Sequence, residues 1–266
     1  VNFYNACVFA AELDHFTGRD MVAIAYAWPT HQDILPYLFG EDVDRAYESA
    51  HQFAALLRML AERTTAERIN IICWSAGGRV VSLALDELDR YERSHGFDPA
   101  SLRLGAAIFA APDVPAHRFL ERLPGIHDVV ERIIITASDN DVALEKAAEF
   151  MGGDMRMGLI DDSLDPDALA DLDRFDHIEL VDVSYDKDQR GFDIDGHRYW
   201  FRHPWVASDV VLVTRTRLPA DQRGLERSHI DRVWFLPADY PDRVRTAARE
   251  ALGDSWAAEG RAPRGD

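Results

Sequence analysis

Cysteine is scarce in this chain: its 266 residues include only Cys7 and Cys73. Two cysteines cannot build a disulfide framework, and no His/Cys/Asp cluster with ligand spacing accompanies them, so neither a cysteine scaffold nor a metal site is expected. The redox compartment stays open between cytosol and periplasm, with the cytosol slightly favoured. No run of about 18 apolar residues occurs, which excludes a membrane-spanning helix. No signal peptide is visible, and because the chain starts with Val1 rather than Met, it is expected to be a piece of something longer. Internal repeats and low-complexity tracts are absent. Positive charge is also in short supply: 29 Lys+Arg stand against 47 Asp+Glu, a net charge of −18. Such a field repels phosphate backbones, which excludes nucleic acid and anionic membrane surfaces as expected partners. The acidic residues are scattered and read as a solvated face. A glycine-rich phosphate turn is missing after the first expected strand, where Trp28-Pro29-Thr30 stands, and this argues against a nucleotide-binding domain.

What is present is an ordinary globular composition, 47% hydrophobic and 29% charged. One α/β domain is expected over residues 1–255, followed by a flexible tail at 256–266. A chain this long buries roughly three quarters of its unfolded surface. Helical and strand patterns alternate, which predicts a mostly parallel sheet with helices on both faces. The predicted strands fall at 22–28, 69–73, 102–110, 132–137, 178–183 and 233–235. The predicted helices fall at 3–16, 43–63, up to about 93 from the turn after residue 73, 116–123, 142–151, 206–213 and 241–252. Polar connections cover 30–40 and 185–199, and 260–266 read as a frayed end.

Within that pattern one stretch carries chemistry: Ile71-Ile72-Cys73-Trp74-Ser75-Ala76-Gly77-Gly78-Arg79. A β-branched strand runs into a turn of small residues, and an apolar helical pattern follows with no polar linker. A serine at such an apex is the nucleophile elbow of α/β hydrolases, whose usual form is G-x-S-x-G. Gly77 keeps the last position, and Cys73 replaces the first glycine. A serine in an ordinary strand–helix turn is the plain alternative. A serine nucleophile needs a base and an acid, and in this fold they follow in the order Ser, Asp or Glu, His, each after the carboxyl end of a strand. Of ten histidines, His197 in Asp195-Gly196-His197-Arg198-Tyr199 fits best, with His203 and His229 as fallbacks. For the acid, Asp141 and Asp139 follow the strand at 132–137, and Asp113 follows the one before it. Either of the first two could instead be a helix cap. The apolar segment 29–40, with Ile34, Leu35, Tyr37, Leu38 and Phe39, suits either a lid over an acyl pocket or packing at the sheet edge.

Several strings together resemble a bacterial α/β-hydrolase family catalogued as domain of unknown function number nine hundred. They are Ala27-Trp28-Pro29-Thr30 with Tyr37 and Asp42, Ser75-Ala76-Gly77-Gly78-Arg79-Val80, Phe109-Ala110-Ala111-Pro112-Asp113, Ser138-Asp139-Asn140-Asp141-Val142-Ala143-Leu144 and Gly196-His197-Arg198-Tyr199. The resemblance runs over residues 1 to about 213. It implies an α/β-hydrolase fold, Ser75 as nucleophile, Asp141 as acid and His197 as base, with no established substrate. Two departures stand out. The family usually has a small residue and then His before the nucleophile, where this chain has Cys73 and Trp74. It also opens with a strand and a His-Gly-Tyr-Asn turn, which would lie just before Val1 and would supply one oxyanion donor beside Ala76 N–H. A chain lacking that strand and turn is expected to be impaired, since one lost oxyanion donor costs about a hundred- to a thousandfold in rate. The expected activity is serine-dependent transfer of an acyl group from a small-molecule ester, thioester or amide to water, without metal or organic cofactor. The rival expectation is a catalytically silent scaffold that binds.

Overall fold

Strands built from alternating branched and small apolar residues can bury both faces, and that is how this chain uses them. The computed structural model describes residues 3–19, 21–30, 41–160, 172, 174–184, 203–230 and 232–253. In chain order these form α1 (Phe3–Phe16), α2 (Glu41–Arg63), β1 (Ile69–Trp74), α3 (Gly77–His95), β2 (Leu104–Ala110), α4 (Ala116–Val129), β3 (Val130–Ala137), α5 (Val142–Phe150), β4 (Ile178–Asp182), α6 (Pro204–Arg215), β5 (Glu226–Arg227), β6 (Val233–Phe235) and α7 (Tyr240–Leu252). The six strands lie in the order β1-β2-β3-β4-β6-β5. All neighbours are parallel except β5, which runs antiparallel to β6. This is a mostly parallel α/β sheet of the hydrolase type.

The two-residue period of the strands divides the core. Ile71, Cys73, Phe109, Ile133, Ile135 and Leu180 join one apolar cluster with Ala46, Phe53, Val81, Leu85, Phe119 and Ile126 from α2, α3 and α4. The intervening Ile108, Ile134 and Val181 join a second cluster with Val206, Val210 and Val213 of α6 and Tyr240 of α7. Every residue of β2 is buried, as expected for a strand covered by neighbours on both edges and helices on both faces. The pattern at 206–213, which length alone leaves between helix and strand, is the helix α6. Helix α4 outruns its expected end at 123. It continues through Pro124 to Val129, and there a Cβ on Gly125 would lie 2.7 Å from Asp86 Oδ1, so only glycine lets α4 approach α3 this closely.

The strand expected at 22–28 is not formed: none of these residues joins a ladder. Val22 and Ile24 are 89% and 53% exposed, while Tyr26 turns inward, its ring 4.8 Å from Phe53 and its hydroxyl donating to Ser49 O at 2.9 Å. Side chains from this segment therefore pack on α2, but its backbone has no hydrogen-bonded neighbour in the sheet. Strand β1 correspondingly pairs on one side only, with β2, among the described residues. Helix α1 has no buried residue. It is held at its end by Arg215, which donates to Thr17 O, and by Phe9, edge-on to Trp74 with ring centroids 6.4 Å apart. No helix among the described residues is long and apolar enough to cross a membrane.

Candidate active site

The carboxyl edge of a parallel sheet is where side chains from successive strand–helix turns converge. At the end of β1 the backbone of Ser75 has φ +54°, a left-handed conformation that costs a non-glycine residue about 1–3 kcal/mol. Three hydrogen bonds hold it there. Ser75 N–H donates to Ala110 O at 3.0 Å, and Ser75 O accepts from Gly78 N–H at 2.9 Å and from Asp113 N–H at 3.1 Å. The turn is therefore fastened both to the end of β2 and to the segment beyond it. Helix α3 begins at once, with Ala76 as its N-cap. The Ala76 N–H finds no acceptor among the described residues, so it is available to an oxyanion at a helix N-terminus.

Small residues make this closeness possible. A Cβ on Gly78 would meet Pro112 Cβ and Val114 Cγ2, both at 3.0 Å. A Cβ on Gly77 would come 3.4 Å from Cys73 Cβ. Cys73 thus fits where the usual pattern has glycine because the residue facing it across the turn carries no side chain. Burial pushes the Cys73 thiol pKa up, which keeps it protonated; its Sγ–H donates to Ile108 O at 3.5 Å.

The three candidate acids have different surroundings. Asp141 is fully buried just past β3, and its Oδ1 accepts from Leu144 N–H at 3.0 Å. It caps α5 and is oriented by doing so, so the cap and the catalytic reading coexist in one residue. Asp139 is exposed and caps nothing; its N–H donates to Ser184 Oγ at 2.8 Å. Asp113, 1% exposed, is engaged by two guanidiniums. Arg79 Nη2 donates to its Oδ2 at 3.3 Å, and Arg156 Nε lies 2.8 Å from its Oδ1. Burial pulls both guanidinium pKa values down, offset for Arg79 by Tyr47 and for Arg156 by Asp113. Arg79 and Arg156 were not singled out by the sequence. Arg79 stands in the elbow string without a legible role, and no pattern marks Arg156.

His197 lies outside the described residues, as do 31–40, most of the candidate lid. Of the fallbacks, His203 caps α6, its Nδ1 accepting from Trp205 N–H at 3.3 Å, and burial lowers its pKa. His229 sits in the turn between β5 and β6. Ser75, Asp113 and Asp141 therefore share the carboxyl edge of three adjacent strands. Among the described residues no group of three or more His, Cys, Asp or Glu is arranged to hold a metal ion. An open concavity of about 450 Å³ between Asp221, Gly224 and α7 shares no residue with this edge.

The family model described as "Alpha/beta hydrolase of unknown function (DUF900)" matches residues 1–215. The chain belongs to this family. The match ends with the last residue of α6, so β5, β6 and α7 lie beyond it. No curated protein and no solved structure matches the chain. Membership carries the α/β-hydrolase fold and leaves substrate and reaction unassigned.

Proposed function

We propose that this α/β-hydrolase-family protein is a serine hydrolase of the esterase type, transferring the acyl group of a small ester, thioester or amide to water. Ser75 is the nucleophile, His197 the base, Asp141 the acid and Ala76 N–H an oxyanion donor. The observation that carries the reading is the left-handed backbone of Ser75, φ +54°, held between the end of β2 and the first turn of α3. Strain of this kind persists only where surrounding bonds enforce it, and here it presents a hydroxyl at the apex beside a helix N-terminus.

In this mechanism the His197 imidazole takes the Ser75 proton as Oγ attacks the carbonyl carbon. The oxyanion that forms is met by Ala76 N–H. Asp141 stabilises the imidazolium and holds its tautomer. His197 then gives the proton to the leaving group, and water resolves the acyl-enzyme by the same route.

The test is labelling with a fluorophosphonate probe, followed by peptide mapping, together with hydrolysis of short p-nitrophenyl esters. Label on Ser75 is expected, and Ser75→Ala should abolish both signals with an unchanged melting temperature. A folded protein that takes no label would sink the reading and leave a catalytically silent scaffold.

A further inference from the structure

Arg156 touches both sides of the proposed site without belonging to either. Its side chain is fully buried. Nε faces Asp113 Oδ1 at 2.8 Å, Nη2 donates to Ala147 O at 3.0 Å and Nη1 to Asp154 O at 3.0 Å. Asp113 is the residue whose backbone N–H holds the Ser75 carbonyl. Ala147 belongs to α5, whose N-cap is Asp141. One planar guanidinium thus joins the turn that carries the nucleophile to the helix that carries the acid. The backbone around it repeats the link. Ala116 N–H donates to Met155 O at 2.8 Å, Met157 N–H to Val114 O at 2.9 Å and Gly158 N–H to Pro112 O at 3.1 Å. On the other side Ser138 N–H donates to Gly158 O at 3.1 Å. Residues 155–160 therefore lace the segment after β2 to the segment after β3, with Arg156 as the side chain at its centre.

We infer that Arg156 is a positioning residue, which fixes the separation of Ser75 and Asp141 by pairing its charge with Asp113 on one side and donating to α5 on the other. This rests on the serine-hydrolase reading of the site. Lysine cannot replace it in full, because an ammonium lacks the planar fork that faces a carboxylate and donates to two carbonyls in fixed directions. Stability alone is a poor account of it. Two guanidiniums meet one carboxylate here among the described residues, so removing Arg156 leaves Asp113 still paired with Arg79 at 3.3 Å.

The test compares wild type, Arg156→Met and Arg156→Lys for ester kinetics, fluorophosphonate labelling rate and melting temperature. Misplacing a reacting group by about 1 Å costs about a hundredfold in rate. The expected result for Arg156→Met is a kcat lower by about that factor with KM nearly unchanged, and a slower labelling of Ser75. Arg156→Lys should recover part of both, since it keeps the contact with Asp113. If Arg156→Met does not fold, kcat of the folded Arg156→Lys decides: a fall at constant KM supports the inference, and a wild-type value overturns it. Folded variants with wild-type kcat and labelling would overturn it while leaving Ser75 as nucleophile. A wild type that takes no label at Ser75 overturns the hydrolase reading, and this inference with it.

Discussion

Two arginines among the described residues are fully buried, and they sit at opposite ends of the sheet. Arg156 lies past the carboxyl ends of β2 and β3, where two guanidiniums share Asp113. Arg223 lies near the amino end of β4, where one guanidinium meets two carboxylates. Its Nε and Nη2 grip Asp209 at 2.7 and 3.1 Å, and Nη1 stands 2.8 Å from Glu179. Burial would pull the Arg223 pKa down, but Asp209 and Glu179 outweigh it and push it up. Tyr240 Oη also donates to Asp209 at 3.3 Å, and Arg223 Nη1 to Leu218 O at 3.0 Å. The first cluster connects loops that bear candidate catalytic groups. The second connects α6, β4, the segment after α6 and α7, so it fastens the part of the chain beyond the family match. The difference teaches that the same buried ion pair serves geometry at one end and attachment at the other.

The sharpest way to break that comparison is at the acid. Asp141→Asn should lower kcat by about ten-thousandfold, because the amide favours the wrong imidazole tautomer. It should leave stability nearly intact, since asparagine caps helices as well as aspartate and its oxygen can still accept from Leu144 N–H. Asp139→Asn, at an exposed residue that caps nothing, should change neither quantity. Equal losses of kcat at 139 and 141, measured on p-nitrophenyl esters, would remove Asp141 from the mechanism.

How far the sequence foretells this edge can be judged residue by residue. The strand, the small-residue turn and the helix around Ser75 are legible because they are local: a β-branched run gives way to a helical apolar pattern within a few positions. Asp141 is legible as a residue after a strand, yet its double role as cap and candidate acid shows only in its bond to Leu144. Residues 22–28 were misread as a strand. A continuous apolar run reads as a strand but says nothing of whether a neighbour supplies the ladder. The acidic residues were misread as one solvated face: Asp113, Asp141, Glu179 and Asp209 are at most 7% exposed. The arginine partners of Asp113, Glu179 and Asp209 stand between 14 and 47 positions away in sequence, a separation at which no pattern in a single chain signals a pair. Arg156, between two methionines, gave no signal at all.

At the other end of the sheet the expected effect falls on stability. Arg223→Met leaves Asp209 buried without the guanidinium that grips it and Glu179 with only Arg132, 3.9 Å away, and removing one partner of a buried pair costs about 3–5 kcal/mol. Chemical denaturation should show that loss, while kcat of the folded fraction stays at the wild-type value. A specific fall in kcat at constant stability would erase the distinction between the two clusters.

The smallest effect should come from a carboxylate that shares the site's edge but has no arginine. Asp182 ends β4, and no ion pair joins it among the described residues. Burial raises its pKa and nearby Asp139 adds to that, while hydrogen bonds from Ser184, whose N–H donates to Oδ1 at 2.8 Å, and the charge of His229 pull the other way. A raised folded value means that the folded state holds the proton more tightly than the unfolded chain does. The stability this residue contributes is therefore complete below the unfolded value of about 3.9, and it is lost as pH rises through the folded value. Asp182→Asn removes that titration and keeps an oxygen for Ser184 N–H. The melting temperature of the variant relative to wild type should therefore climb between pH 4 and pH 7. Parallel melting curves across that range would mean that the bonds from Ser184 offset the burial of Asp182, and that a carboxylate needs no paired arginine to be tolerated in this fold.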